Sequence, residues 1–162
     1  MSKLDYRIGF SQDIHTLVKD RPLILAGVEI PFEKGLLGHS DADVIYHVVA
    51  ESIFGALALG DLGTHFPSVE RYKDISSALI VAHARSLLDK HLYVVNNIDI
   101  TVVCEAPKLS PYIETMRENL SKLLRVDKEQ ISIKATTKEK HDSVGHGDAI
   151  EAYAVVLIRR VK

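Results

Sequence analysis

The stretch LDYRIGFSQDIHTL, residues 4–17, decides how the rest of the chain is read. From Leu4 to Phe10, apolar residues alternate with others, the period of a half-buried strand. If the strand continues, Asp13 and His15 project from the same face, because side chains two apart on a strand share a side. An oxygen donor and a nitrogen donor then stand together at a strand end.

The remaining composition narrows what those two residues can serve. The chain has 162 residues, 46% of them hydrophobic and 26% charged, which is ordinary for one globular domain with a proper core. A net charge of −2, with basic residues scattered, leaves no electrostatic footprint for nucleic acid or an anionic membrane. No run approaches the length needed to span a bilayer. MSKLDYRIGF enters strand-like sequence at once, leaving no room for a targeting segment, and the single cysteine, Cys104, suits a reducing compartment; a cytoplasmic location is expected. Cysteines cannot build a zinc site here. Any metal must use the eight histidines and the carboxylates.

Working outward, RPLILAGVEIP (21–31) reads as a strand pair or bent strand around Gly27. Residues 39–61 read as a helix with Ser40 as N-cap, Asp41 and Asp43 in the first turn, and Gly60 as the stop. Val44, Ile45, Val48, Val49 and Ile53 form its apolar stripe. Residues 74–91 read as a second helix capped by Asp74, with Ile75, Leu79, Ala82 and Leu87 turned to the core. Residues 97–107 are a strand ended by Pro107. Residues 109–126 are a third helix, with Ser110 as cap and Pro111 at its first position. Strands at 131–137 and 149–161 finish the chain. This order predicts an α+β fold, one domain over 1–162, with helices packed on one face of a mixed sheet.

Polar residues gather at element ends. His47 follows Asp43 by four residues on the first helix, and with Asp13 and His15 gives an Asp-His-His set suited to a catalytic zinc with an open fourth position. A buried helix histidine is more often a satisfied core group, so the pattern alone leaves both readings open. His39 and Ser40 lie at a helix N-terminus, a natural anion site, although plain capping by Ser40 needs no ligand. CEAPKLSP (104–111) carries Lys108 on a strand-to-helix connection. KATTKEK (134–140) places Thr136, Thr137 and Glu139 at a strand end, where hydroxyls suit phosphate oxygens and a carboxylate suits a hard cation. Nucleophile motifs, a Walker loop and a dinucleotide fingerprint are all missing from the sequence. Together these features favour a metal-assisted reaction on a small phosphorylated ligand.

The ordered set D-x-H (13–15), H-S-D-x-D (39–43), His47, L-G-D-x-G (59–63), A-P-K (106–108) and K-A-T-T-x-E (134–139) resembles the 2-C-methyl-D-erythritol 2,4-cyclodiphosphate synthases over essentially the whole chain. The resemblance implies a phosphorus–oxygen lyase of the non-mevalonate isoprenoid pathway. Such an enzyme converts 4-diphosphocytidyl-2-C-methyl-D-erythritol 2-phosphate to the cyclic diphosphate and CMP. It further implies a homotrimer with active sites between subunits, each holding zinc and a second divalent cation, magnesium or manganese. By position, Asp13, His15 and His47 would be the zinc ligands and Glu139 would hold the second metal. His39 and Ser40 would touch the phosphorylated methylerythritol, and Asp61 and Gly63 would lie along the sugars. Cys104, Ala106, Pro107, Lys108 and Leu109 would form the cytosine pocket, with Lys108 near the phosphates. Thr136 and Thr137 would contact the diphosphate; His39 and Thr137 count with the metal ligands as catalytic.

Several positions depart from the family pattern. Gln12 stands where an aromatic is common, Ser68 lacks a usual carboxylate, and Lys138 interrupts the threonine run. Ser143 and His146 occupy an aromatic and an arginine position. In family members that arginine can face a threefold-axis cavity able to hold an isoprenoid diphosphate, and a histidine, mostly neutral above pH 7, weakens such a grip. Two other readings remain at this stage: a zinc phosphoesterase using water, and a non-catalytic nucleotide-binding trimer.

Overall fold

The computed structural model describes residues 4–161. Strand β1 (Tyr6–Lys19) is followed by the short strands β2 (Leu23–Leu25), β3 (Val28–Ile30) and β4 (Lys34–Leu36), then helix α1 (Val44–Leu57). A one-turn helix α2 (Leu62–His65) leads to α3 (Ser77–His91) and β5 (Tyr93–Val103). Helix α4 (Ile113–Leu124), β6 (Ile131–Thr136), the short α5 (Asp142–Gly145) and β7 (Ala149–Arg160) complete the order. Five strands form one sheet in the order β4-β1-β7-β5-β6, antiparallel except for the parallel β5–β6 pair, while β2 and β3 form a separate hairpin. The mixed sheet and the α+β class are those expected. No helix among the described residues is long and apolar enough to cross a membrane.

Alternation along β1 gives the sheet its two sides. Arg7, Gly9, Ser11, Asp13 and His15 turn toward the helices, and opposite them on β7 the residues Ile158, Val156, Ala154, Ala152 and Ile150 are fully buried. Small residues at the centre of this face let α1 lie almost on the strands. A Cβ on Gly9 would fall 1.8 Å from the Ser52 carbonyl oxygen of α1 and 2.8 Å from Ala56 N. Arg7 bonds the Ala56 carbonyl through Nε, and Ser11 Oγ donates to Glu51 at 2.5 Å. On the other side α5 covers one end, packing Val144 against Val103 and Ala149, and the rest is bare: Tyr6, Ile8, Phe10, Ile14 and Val155 are all exposed.

Several local expectations need correction. The cap of α1 is Asp43, three residues later than Ser40, and the helix ends at Ala58 in the left-handed conformation rather than at Gly60. Asp43 displaces Ser40 because its carboxylate has more to satisfy. It accepts from Tyr46 N (3.1 Å), and also from Ala26 N (2.9 Å) and Gly27 N (2.8 Å) of the β2–β3 turn, whose residues both have positive φ. Asp43 therefore faces the hairpin, while His47 faces β1; the two do not act together. The helix is buried nearly all round, since the hairpin covers the side that a surface helix would leave polar.

Helix α3 is capped by Ser76 rather than Asp74, and its core residues are Ile80, Val81, Ala84 and Leu88. Leu79 is 60% exposed, not buried, because the face of α3 that packs on the core runs through Ser77, Ile80, Val81, Ala84 and Leu88 and leaves Leu79 outside it. Ser110 and Pro111 form a 3₁₀ turn, and α4 starts only at Ile113.

Full burial pushes the Asp43 carboxyl up from 3.8 to about 6, against the opposing pull of the Gly27, Tyr46 and Ala26 N–H groups. A folded pKa above the unfolded one means that the native state binds the proton more tightly. This contribution to stability is complete below about pH 3.8 and is lost as pH rises to about 6. A ¹³C carboxyl titration should show Asp43 with a midpoint near 6; a midpoint near 3.8 would mean that the three amide donors fully offset burial.

Candidate functional site

The closeness of α1 to β1 brings His47, on the second turn of the helix, over Asp13 and His15 on the strand. His15 Nε2 lies 2.9 Å from Asp13 Oδ2 and 3.2 Å from His47 Nδ1, which in turn lies 3.4 Å from Asp13 Oδ2. Among the described residues, these three form the cluster of ligand-type atoms able to hold a metal ion.

The outer partners decide which ring nitrogens face inward. His15 Nδ1–H donates to the Leu37 carbonyl at 2.9 Å, leaving its Nε2 lone pair toward the centre. His47 Nε2 lies 3.0 Å from both Ser40 Oγ and Ser77 Oγ, on the side away from Asp13. With both rings neutral and protonated on these outer nitrogens, three acceptor atoms converge. Tetrahedral zinc, with ligands at about 2.0–2.1 Å, separates its donors by roughly 3.3 Å. The observed separations match that edge length, and one carboxylate with two imidazoles is a donor set that zinc accepts.

Electrostatics agree with this pairing. Burial would raise the Asp13 carboxyl, but hydrogen bonds and charge from His15 and His47 outweigh it and hold the group well below the usual carboxylate range. Burial likewise lowers His15, while the Asp13 hydrogen bond and charge raise it above its ordinary value. Each partner favours the charged form of the other.

The cluster opens into a cavity of about 240 Å³ that is also lined by His39, Ser40, Leu62, Phe66 and Ser68. His39 Nε2–H donates to Val69 O at 2.9 Å. Ser40 lines the same cavity, but its hydroxyl is engaged with His47 and the Ala42 amide. Asp61 caps α2, accepting from the Thr64 hydroxyl and amide, which hold its carboxyl below the usual range. Gly63 lies within that short helix, and both residues are exposed.

Cys104, Pro107, Lys108, Leu109, Thr136 and Thr137 line a second cavity of about 260 Å³, together with Glu105, Ser110 and Ala135. Ala106 precedes Pro107 through a cis peptide bond, and its carbonyl accepts from Cys104 Sγ. Burial pushes the Cys104 thiol up to about 11, so it is a packing residue rather than a nucleophile. Glu139 is exposed beside this cavity, and its Oε1 accepts from Thr137 Oγ1 at 3.3 Å. Lys138 turns away to Glu151 (3.2 Å) and Asp142 (3.6 Å).

The two cavities share no lining residue. One chain therefore brings Asp13, His15, His39, Ser40 and His47 together, and separately groups 104–109 with 136–139. The sequence reading missed Ser77 and Arg21. Arg21 donates to the carbonyls of Leu36 (2.5 Å), Gly38 (3.3 Å) and Ser40 (2.5 Å), pinning the loop that carries Leu37, His39 and Ser40. Neither belongs to a spacing pattern, because each acts through a fold-dependent contact.

A 2-C-methyl-D-erythritol 2,4-cyclodiphosphate synthase from Brachyspira hyodysenteriae is 50% identical over 157 residues, covering 96% of this chain and 99% of the relative. The IspF protein of Plasmodium falciparum in its CDP complex superposes with a TM-score of 0.88 at 37% identity, over 99% of this chain and 100% of that one. The bifunctional IspDF protein of Campylobacter jejuni superposes with a TM-score of 0.93 at 32% identity, over 97% of this chain and 43% of the larger one. With the family profile matching residues 6–159, nearly the whole of the described sheet and its helices, this chain belongs to the YgbB family.

Proposed function

We propose that this chain is a 2-C-methyl-D-erythritol 2,4-cyclodiphosphate synthase. The observation that carries the reading is the convergence of Asp13, His15 and His47 on one point of a cavity that His39 and Ser40 also line. The substrate is 4-diphosphocytidyl-2-C-methyl-D-erythritol 2-phosphate. An oxygen of its 2-phosphate forms a bond to the phosphorus nearer the methylerythritol, and the bond to the cytidylyl phosphate breaks. CMP leaves with the electron pair.

The nucleophile is already anionic near neutral pH, so the chain needs no activated serine or cysteine. What opposes the reaction is repulsion between phosphates and the entropy of ring closure. Zinc held by Asp13, His15 and His47, with magnesium or manganese on Glu139, supplies positive charge at the phosphates when bound. The chain itself does the positioning. His39 and Ser40 orient the methylerythritol phosphate, Asp61 and Gly63 lie along the sugars, and Thr136, Thr137 and Lys108 hold the diphosphate. The pocket from Cys104 to Leu109 takes the cytosine. Clamping both ends of a flexible substrate can supply about 7–11 kcal/mol of the barrier.

We further propose a homotrimer with active sites between subunits. Two observations support it: the cavities of one chain share no residue, and the sheet face bearing Tyr6, Ile8, Phe10, Ile14 and Val155 is bare. Contiguous apolar surface on that scale marks an interaction site. Sedimentation should give three chain masses; a stable, active monomer would refute this assembly.

The functional test is phosphorus NMR of the protein with the cytidine-diphosphate substrate, zinc and magnesium, in ¹⁸O-labelled water. CMP and a cyclic diphosphate lacking solvent oxygen are expected. A linear product carrying ¹⁸O would make the chain a zinc phosphoesterase instead. Glu139→Gln should reduce turnover by about 10²-fold or more, since a metal at the phosphates contributes several kcal/mol. Zinc content should stay unchanged; equal loss of zinc would reassign Glu139.

A further inference from the structure

His47 presents a lone pair at Nδ1 only when its ring proton sits on Nε2. Nε2 lies 3.0 Å from Ser77 Oγ, on the first residue of α3, and Ser77 is fully buried. The Ser77 hydroxyl is in turn bonded to Asp41 Oδ1, and its amide N–H donates to Asp41 Oδ2 at 3.0 Å. An ionised carboxylate only accepts. The hydroxyl proton of Ser77 therefore points to Asp41, its lone pairs point to His47, and Nε2 has to be the donor.

Ser40 Oγ also lies 3.0 Å from Nε2, but no carboxylate backs it; its own contacts are the Ala42 amide at 3.2 Å and Ser77 Oγ at 3.4 Å. A lone hydroxyl can turn to donate or accept, so Ser40 does not fix the direction of the chain. The Asp41–Ser77 pair does.

We infer that Asp41 and Ser77 are positioning residues that set the His47 tautomer for metal ligation, an inference that rests on the metal reading above. A ligating histidine usually gives its second N–H to a carboxylate or carbonyl, and removing that partner costs about 10–100-fold in metal affinity. His15 follows the rule directly through Leu37 O. His47 follows it through a hydroxyl relay that spans two elements. The relay also explains why the start of α3 is stitched to the 39–41 loop. Asp41 N donates to Ile75 O at 3.1 Å and Asp74 N to His39 O at 2.8 Å, holding Asp41 and Ser77 in register. These backbone bonds survive substitution of either side chain; in Ser77→Ala, Asp41 Oδ1 also keeps the Asp43 amide at 3.2 Å, whereas the turned amide of Asp41→Asn gives up that one bond. The variants should therefore fold.

Asp41→Asn is the informative change. An amide turned with its NH₂ toward Ser77 Oγ makes that hydroxyl a donor to Nε2, which drives the His47 proton to Nδ1, where it blocks the metal. Two measurements on the metal-free protein test this: the imidazole ¹⁵N shifts of His47, and zinc affinity by competition with a chelator. The native chain should show the Nε2–H form and bind one zinc. Asp41→Asn should shift the ring toward Nδ1–H and weaken zinc by about 10–100-fold, and Ser77→Ala should weaken it by about 10-fold. Native zinc binding with unchanged affinity in both variants overturns the inference and leaves the metal reading standing. Weaker zinc with an unchanged tautomer also overturns it, since the residues would then act only as scaffold. A native chain that takes no zinc overturns both.

Discussion

His47→Ala is expected to empty the metal centre and lower turnover by at least about 10³-fold, while the protein stays folded. The size follows from what is removed. Asp13 and His15 alone offer two donors, short of the three that a catalytic zinc takes from protein, and a metal at the reacting phosphates is worth several kcal/mol. Folding survives because the lost imidazole contributes polar contacts more than apolar burial. The hydroxyl of Ser77 keeps Asp41, and that of Ser40 keeps the Ala42 amide. The check pairs metal analysis with the CMP-release rate and a thermal melt. One zinc per chain together with undiminished turnover would remove His47 from the site.

The second large effect concerns a residue with no chemistry at all. Gly9→Ala places a methyl group 1.8 Å from the Ser52 carbonyl oxygen, and both sides of that contact are backbone, so no rotamer change relieves it. Helix α1 has to lift from β1. Overpacking of this kind costs about 3 kcal/mol or more. For a chain of this size that is a fall in Tm of roughly 10 °C. Because His47 rides on α1, the same lift draws its ring from Asp13 and His15, and zinc affinity should fall with stability. An unchanged melt would show that the two elements do not pack as closely as the contact implies.

Much of this was legible in the chain itself. Alternation in 4–10 forecast β1, and its continuation placed Asp13 and His15 together. The three long helices and the strands β1–β3 and β5–β7 appeared in their observed order, whereas β4 and the one-turn helices α2 and α5 did not. What could not be read was anything set by an element distant in sequence. Asp43 outcompetes Ser40 as a cap only because the 26–27 turn lies against it, and Leu79 is left exposed because packing selects the Ser77, Ile80, Val81, Ala84 and Leu88 face of α3. His47 looked equally like a core histidine until α1 was laid on β1. Ser77, sixty-four residues from Asp13, carries no spacing signal for its contact with the metal-facing ring.

Strand β1 presents metal ligands on one side and a bare apolar row on the other, and both depend on a single pleat held by eleven residue pairings with β7, from Tyr6–Arg159 to Thr16–Ala149. A slip of one residue would exchange the sides along the whole strand. Phe10 and Ile14 would be driven under α1, where Gly9 and Asp13 now leave room, and the ligands would emerge into the opposite face. Insertions or deletions within 6–16 should therefore abolish both features together, whereas replacements in place can alter either side alone. Such a strand can change by substitution, but its length is frozen.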